Sequence, residues 1–243
     1  MKTFRSDLEK FHQKLVNKEH FTFSKYADGE WAVMKNHPVN NKEFWFTPNS
    51  IIDEIKRNKL IESFRFQHPN YYVGVSCPCC QGMDTHREMM SYSKQKDEKL
   101  TWANLWVNSN YPYFVENIIP LFNERPVVLF CNKNGQIDNL PFKPVMVFPI
   151  DNNAWEKNWS LIEDAKLVFS DPKWTNCIVL FCCGPFGNIL AHELTQHNDN
   201  NTYLDIGSTL NPWLKSAGFE RHYYMGDNVF SRMTCKWGTN EKI

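Results

Sequence analysis

Apolar positions along the chain switch between a helical and an alternating period, and each switch marks an element. Ser6-Asp7-Leu8-Glu9 reads as a capping box, and Leu8, Phe11 and Leu15 follow at helical spacing, which predicts an N-terminal helix within residues 1–20, running to about Lys18. Phe21 to Tyr26 alternates as a strand. Thr47-Pro48 marks a helix start, with Ile51, Ile52 and Ile55 as its expected buried stripe. Tyr71 to Val75 is the next strand, and the polar stretch from Cys77 to about Leu100 reads as part helix, Arg87 to Lys96, and part exposed loop. Tyr111, Phe114, Val115, Ile118 and Phe122 share one helical face. Strands at Val127 to Cys131, Val145 to Phe148, Cys177 to Cys182 and Tyr203 to Ile206 then alternate with helices carrying Trp155, Trp159 and Ile162, and Phe186, Leu190 and Leu194.

Continuously apolar strands that alternate with helices imply a parallel sheet covered on both faces. The expected fold class is α/β: a single Rossmann-like domain over residues 1–243, with a mostly parallel sheet flanked by helices. No Pro/Gly/Ser-rich linker divides the chain and no internal repeat is evident. Residues 236–243 read as a frayed tail.

Composition narrows the function classes. Lys plus Arg and Asp plus Glu both number 27, so the net charge is zero and the chain lacks the basic block that phosphate-backbone binding requires. Nucleic acid is therefore an unsuitable partner. Aromatic residues at 15% suggest a ring-rich core or a stacking pocket. No apolar run approaches the roughly 18 residues needed to span a bilayer, and the N-terminus turns polar at once, so a cytoplasmic protein with no membrane span is expected. Of the eight cysteines, Cys131, Cys177, Cys182, Cys183 and Cys235 sit in apolar or strand-like runs, and reduced thiols are the simpler reading.

In an open α/β sheet, ligands bind beyond the carboxyl ends of the strands, so the residues after each strand carry the candidate chemistry. The first such junction, Lys25 to Trp31, places Asp28 and Glu30 around Gly29. Two hard oxygen ligands on a tight turn suit Mg²⁺ or Mn²⁺ bound to a substrate diphosphate; the bland alternative is a helix cap and a solvated acid. The second, Cys182 to Asn188, ends a buried strand in a Gly-Pro turn. Amides near Gly184, Pro185 and Gly187 could hold a phosphate, and Asn188 could bind a ribose or sugar hydroxyl, unless this is an ordinary strand-to-helix connection. Neither a dinucleotide fingerprint nor a Walker loop is present. At the third junction, Asp205 lies in an apolar strand end before Gly207-Ser208-Thr209 and either orients a hydroxyl, acts as a base or accepts hydrogen bonds from the turn.

Other candidates carry less. Asn104, Asn108, Asn110 and Tyr111 form an Asn-rich aromatic segment able to grip a base or sugar, or to serve as turns and caps. His192 and Glu193 on the helix after Gly184 are candidate acid–base groups if they face a cleft. Cys77, Cys79 and Cys80 could join His86 around zinc, but a structural zinc usually takes its ligands as two spaced pairs. One crowded cluster is present, so free thiols in a loop are expected.

Taken together, the string FSKYADGEWAVM resembles the Arg/Lys-Tyr/Phe-Gly-Asp-Gly-Glu signature of bacterial and viral glycosyltransferases of the GT-D type, once filed as a domain of unknown function. LFCCGPFGNILAHELTQHNDNNTYLDIGSTLNPWL resembles the later block of that family, and TWANLWVNSNYPYF its middle segment. The resemblance runs from about Phe23 to about Trp237. It implies a metal-dependent transferase of GT-D fold that moves a sugar from a nucleotide-sugar donor, a UDP-sugar first, to a glycan or glycoprotein acceptor. Carried over, Asp28 and Glu30 hold Mn²⁺ or Mg²⁺ on the donor diphosphate, and Gly184, Pro185, Gly187, Asn188 and Asp205 lie around the donor. Ala27 replaces the signature's first glycine, and Ser208 stands where the family often has histidine. Asp205, His192 and Glu193 are the candidates for the acceptor base, with Asn104 and Asn108 as further donor contacts. A metal-dependent phosphoester hydrolase and a non-enzymatic nucleotide or carbohydrate module remain the rival readings. A homodimer is compatible with the aromatic content.

Overall fold

The computed structural model describes residues 3–41 and 43–215. Helix α1 (Phe4–Val16) begins at Thr3, whose Oγ1 accepts from the Ser6 amide, so the N-cap lies three residues before the expected capping box. Strand β1 (Thr22–Lys25) follows and enters helix α2 (Asp28–Met34). A small hairpin of β2 (Val39–Asn40) and β3 (Trp45–Phe46) precedes helix α3 (Ile51–Arg65), which Ser50 caps. Strand β4 (Tyr71–Val75) leads into the turn α4 (Pro78–Gln81) and helix α5 (Met83–Ser93), and β5 is Leu100–Trp102.

The segment after β5 is helical but irregular. Helix α6 (Tyr111–Tyr113) passes through a π turn, Phe114–Ile118, into a 3₁₀ turn, Ile119–Asn123. Pro120 has no N–H to continue an α-helical ladder, which accounts for the change of pitch. The expected apolar face is nevertheless there: Tyr111, Phe114, Ile118 and Phe122 are buried and Val115 is half-buried. Strands β6 (Val127–Asn132) and β7 (Met146–Ile150) are followed by α7 (Ala154–Lys157) and α8 (Leu161–Phe169), two short helices where one was expected. Strand β8 (Ile178–Phe181), helix α9 (Pro185–His197), strand β9 (Thr202–Asp205) and the turn α10 (Asn211–Leu214) complete the described chain. The expected tail at 236–243 and Cys235 lie outside the described residues.

Seven strands form one sheet in the order β5-β4-β1-β9-β8-β6-β7, every pairing parallel. This is the expected α/β architecture with a parallel sheet flanked by helices. Alternate residues of each strand feed opposite faces, so both faces need apolar cover. Val128, Phe130, Val179, Phe181 and Tyr203 join the layer under α3, α8 and α9. Val127, Leu129, Ile178, Leu180 and Leu204 join the layer under α1 and the 105–122 segment. One sequence expectation fails here: Ile51, Ile52 and Ile55 are exposed, at 78%, 64% and 61%. Helix α3 instead buries Lys56, Leu60, Ser63 and Phe64, the next positions at helical spacing.

The chain builds outward from β1 through β4 to β5, lays down β6 and β7 on the far side, and returns through β8 and β9 to close against β1. The direction of travel therefore reverses around β1 and β9. In α/β sheets such a reversal opens a crevice at the carboxyl ends of the strands.

Candidate functional site

A cleft of about 440 Å³ lies at that point. Residues at or after the ends of all seven sheet strands contribute to it: Lys25 and Ala27 to Glu30 at β1, Ser76 after β4, Ala103 and Asn104 after β5, Asn132 from β6, Asp151 after β7, Cys182 to Pro185 after β8, and Ile206 to Thr209 after β9. The β2–β3 hairpin supplies a further wall with Asn41, Glu43 and Phe44. Asn41 Oδ1 accepts from the amides of Glu43 and Phe44, and the Glu43 carbonyl accepts from Asn153 N at 2.7 Å, which ties this wall to α7.

The first junction is a helix start rather than a tight turn. Asp28, Gly29 and Glu30 are the first three residues of α2, and Gly29 has open space around it and no left-handed backbone. The expected tight turn is thus absent. Glu30 Oε2 accepts from the Ala27 amide at 2.8 Å, closing the helix end as the last residue of a capping box does. Glu30 is buried and Asp28 exposed, and both line the cleft. Residues two apart on a helix do not face each other, so these carboxylates offer ligands from different sides of the first turn.

The second junction leaves its helix end open. Gly184 is the N-cap of α9 with φ +56° and no side-chain cap, and Pro185 is the first helical residue. Gly187 packs so closely that a methyl there would meet Phe181 Cβ at 3.2 Å, and its amide is already bonded to the Gly184 carbonyl at 2.8 Å. Its role is packing. Asn188 is fully buried and does not line the cleft. Its Nδ2 lies within hydrogen-bonding distance of Ser24 Oγ (3.0 Å), the Lys25 carbonyl (2.7 Å) and Asp205 Oδ2 (3.1 Å). It therefore clamps β1, β9 and α9 together beneath the cleft, where a sugar contact was expected.

Asp205 lies in the same layer, 1% exposed and outside the lining. Its carboxylate accepts from the amides of Lys25 and Gly207, each at 3.2 Å. Burial pushes its pKa up to about 7, against the charge of Lys25 and those two amides, while the nearby Glu30 raises it further. Above it, Lys25 lies across Gly207: a methyl on Gly207, which has φ +54°, would meet Lys25 Cε at 2.6 Å. Asp205 thus positions Lys25 and the Gly207 turn. Lys25 is the lone lysine or arginine in the lining among the described residues. Sequence reasoning passed over it although it occupies the Arg/Lys position of the signature, which was the signal for it.

His192 and Glu193 are not in the cleft. His192 is buried against Phe66, ring centroids 4.6 Å apart, with neither ring nitrogen hydrogen-bonded. Burial holds its pKa below the usual histidine value, as expected for a neutral ring in an apolar setting. Glu193 is held by Lys59 at 2.9 Å and Lys166 at 2.6 Å, stitching α9 to α3 and α8. Burial raises its pKa, but the two lysines outweigh that and keep it below the ordinary carboxylate value. Asn104 and Asn108 do line the cleft; Asn108 adopts φ +57°, and Asn104 Nδ2 donates to Cys80 Sγ at 3.4 Å.

Asp28 and Glu30 are the lining carboxylates that could hold a hard divalent cation. Asp28, Glu30, Glu43 and Asp151 face the cleft against the charge of Lys25. Lys133 pairs with Asp151 at 2.6 Å. Glu43 and Asp151 were not among the expected site residues, because no motif surrounds them.

No family model matches the chain, and no curated protein matches it by sequence. Two solved structures match it in shape over 83% of this chain and 77% of theirs, each with a TM-score of 0.58. One, 13% identical, is the highly conserved domain of unknown function 1792, described as having a distinct glycosyltransferase fold; the other, 12% identical, is a selenomethionine-substituted structure of the same domain. No helix among the described residues is long and apolar enough to cross a membrane. The resemblance to GT-D type glycosyltransferases is thereby matched at the level of the fold: this chain has the glycosyltransferase fold described for domain of unknown function 1792.

Proposed function

We propose that the protein is a metal-dependent glycosyltransferase that takes a sugar from a nucleoside diphosphate sugar, a UDP-sugar first, and passes it to a glycan or glycoprotein acceptor. The observation that carries this reading is the division of the cleft: carboxylates at the start of α2, an open helix end at α9, and Lys25 between them. Asp28 and the cleft-facing side of Glu30 would hold Mg²⁺ or Mn²⁺. When bound, that ion supplies charge neutralisation for the departing diphosphate.

The chain's own residues supply the rest. Of the first three helical positions of α9, Pro185 has no N–H and the Gly187 amide is bonded to the Gly184 carbonyl, so the Phe186 amide would donate towards a phosphate oxygen, and Lys25 adds a positive charge in the same cleft. Asp205 and Asn188 keep Lys25 and the two helix ends in register from beneath. Asn104 and Asn108 also line the cleft and would contact a base or sugar. None of His192, Glu193 or Asp205 lines the cleft, so the acceptor proton is taken by another group; Glu43 and Asp151 are carboxylates on the lining.

The test is a thermal-shift screen of UDP, GDP, CDP and their sugars, each with and without Mn²⁺. A nucleotide at about 100 times its Kd stabilises by about 2.7 kcal/mol, a shift of several degrees for a chain of this size. One nucleotide family should shift the protein only with metal, and Asp28→Asn should lose the shift. Sugar release to water but never to an added acceptor would turn the reading into a hydrolase. Metal-indifferent binding retained in Asp28→Asn would make it a binding module.

A further inference from the structure

Cys77, Cys79 and Cys80 were expected as free thiols in a loop, and the fold gives them a common centre. Cys77 caps the turn α4 with Pro78 at its first position, and the amide of Cys80 returns to the Cys77 carbonyl at 3.1 Å. Gly82, at φ +81°, closes the turn by donating to the Pro78 carbonyl at 2.9 Å. The three sulfurs lie within 4.8 Å of one another: Cys77 to Cys79 is 3.0 Å and Cys79 to Cys80 is 4.0 Å. Three thiolates on one zinc ion, each about 2.3 Å from it, sit about 3.8 Å apart, so sub-ångström side-chain adjustments suffice.

The surroundings are those of a metal site. Asn104 donates an N–H to Cys80 Sγ, a contact that stabilises a ligating thiolate and fixes its direction. His86 holds the start of α5 against the end of β4, with Nδ1 2.7 Å from the Ser76 carbonyl and its ring stacked on Trp102. The remaining described cysteines, Cys131, Cys177, Cys182 and Cys183, lie on strands or at strand ends and form no comparable three-thiol group. Cys77 is buried, Cys80 lines the cleft and Cys79 is exposed, so a metal ion here would be anchored on one side and open on the other.

We infer that Cys77, Cys79 and Cys80 supply three thiolates to a site for a soft divalent cation, zinc first, with no fourth cysteine, histidine or carboxylate ligand among the described residues. Thiolates select Zn²⁺ over Mg²⁺ and Mn²⁺, so this site is chemically distinct from the carboxylates of α2. It does not rest on the glycosyltransferase reading.

The test uses the full-length chain, reduced and stripped of metal. Titration with Co²⁺ should give the near-ultraviolet thiolate-to-cobalt charge-transfer band and saturate at one ion per chain, and Zn²⁺ should abolish the band. Cys77→Ser, Cys79→Ser and Cys80→Ser should each weaken binding about ten-fold or more, while Cys183→Ala and Asp28→Asn leave the band unchanged. Bound Zn²⁺ should also protect these three thiols from alkylation in the unsubstituted protein, a readout that survives if a variant fails to fold. Absence of the band in reduced protein overturns the site, as does a band that persists in the Cys77 and Cys79 variants. Failure of nucleotide binding, by contrast, leaves the cobalt spectrum untouched.

Discussion

The junctions β1–α2 and β8–α9 leave the sheet on either side of β9 and open on the same cleft, yet they offer a ligand opposite things. Neither helix end has a side-chain cap, since the N-cap residues are Ala27 and Gly184. The difference is first-turn charge: α2 carries Asp28 and Glu30 there, with Glu30 folded back onto the Ala27 amide, and α9 carries no acid. A helix N-terminus favours anions, so α2 answers its own positive end with carboxylates and α9 does not.

The sharpest way to break this comparison is Asp28→Asn. It removes a charge from an exposed side chain, so the melting temperature should stay within about a degree, while transfer falls by about 100-fold or more. Glu30→Gln should lose activity similarly and keep the cap, since glutamine also serves in a capping box, whereas Glu30→Ala should cost a further ~1 kcal/mol of stability. Full activity in Asp28→Asn would end the metal assignment.

The complementary change is Gly184→Val. A β-branched residue forced to φ +56° should destabilise the fold by about 1–3 kcal/mol and weaken nucleotide binding by about ten-fold. Destabilisation with an unchanged nucleotide shift would show that α9 is only a support.

Between the two junctions lies Asp205, and pH separates its role from theirs. Its folded pKa of about 7 stands above the ordinary 3.8, so ionising it costs stability. That contribution is complete below about pH 4, declines as pH rises, and levels off above about pH 7. Urea melts across this range should show the decline, and Asp205→Asn should flatten it. A slope that survives the substitution would mean that another group carries it.

Much of this arrangement is legible in the sequence because parallel strands buried on both faces are continuous apolar runs. Four of the seven sheet strands, β4, β6, β7 and β8, are such runs; β1 and β9 mix apolar with polar residues, and β5 is Leu100–Trp102, too short to separate from the aromatic segment after it. The hairpin wall is invisible for the same reason, with two residues per strand. Ile51, Ile52 and Ile55 mislead because apolar residues also occur on surfaces, and which face of α3 is covered is decided by α2, α5 and α9. At the site, the junction residues are legible because each comes shortly after a segment that reads as a strand. Whether a side chain then points into the cleft or beneath it depends on packing, which separates Asp28 from Asn188. His192 and Glu193 share a helix with Gly184 and still belong to its far face, because α9 rotates them towards α3 and α8.

That last separation can itself be tested, with the smallest expected effect. Glu193→Gln removes the charge between Lys59 and Lys166 but leaves an acceptor in place. Lys59 is 39% exposed, so the loss should fall between that of a surface pair and a buried one, about 1–2 kcal/mol, with turnover unchanged. Its folded pKa is depressed, so its contribution should be present above about pH 4.5 and disappear as pH falls through the lower folded value. At pH 7 the variant should therefore melt lower than the parent, and in acid the two should converge. A loss of activity larger than this loss of stability would return α9's far face to the site and dissolve the contrast between a helix whose first turn binds and a body that only packs.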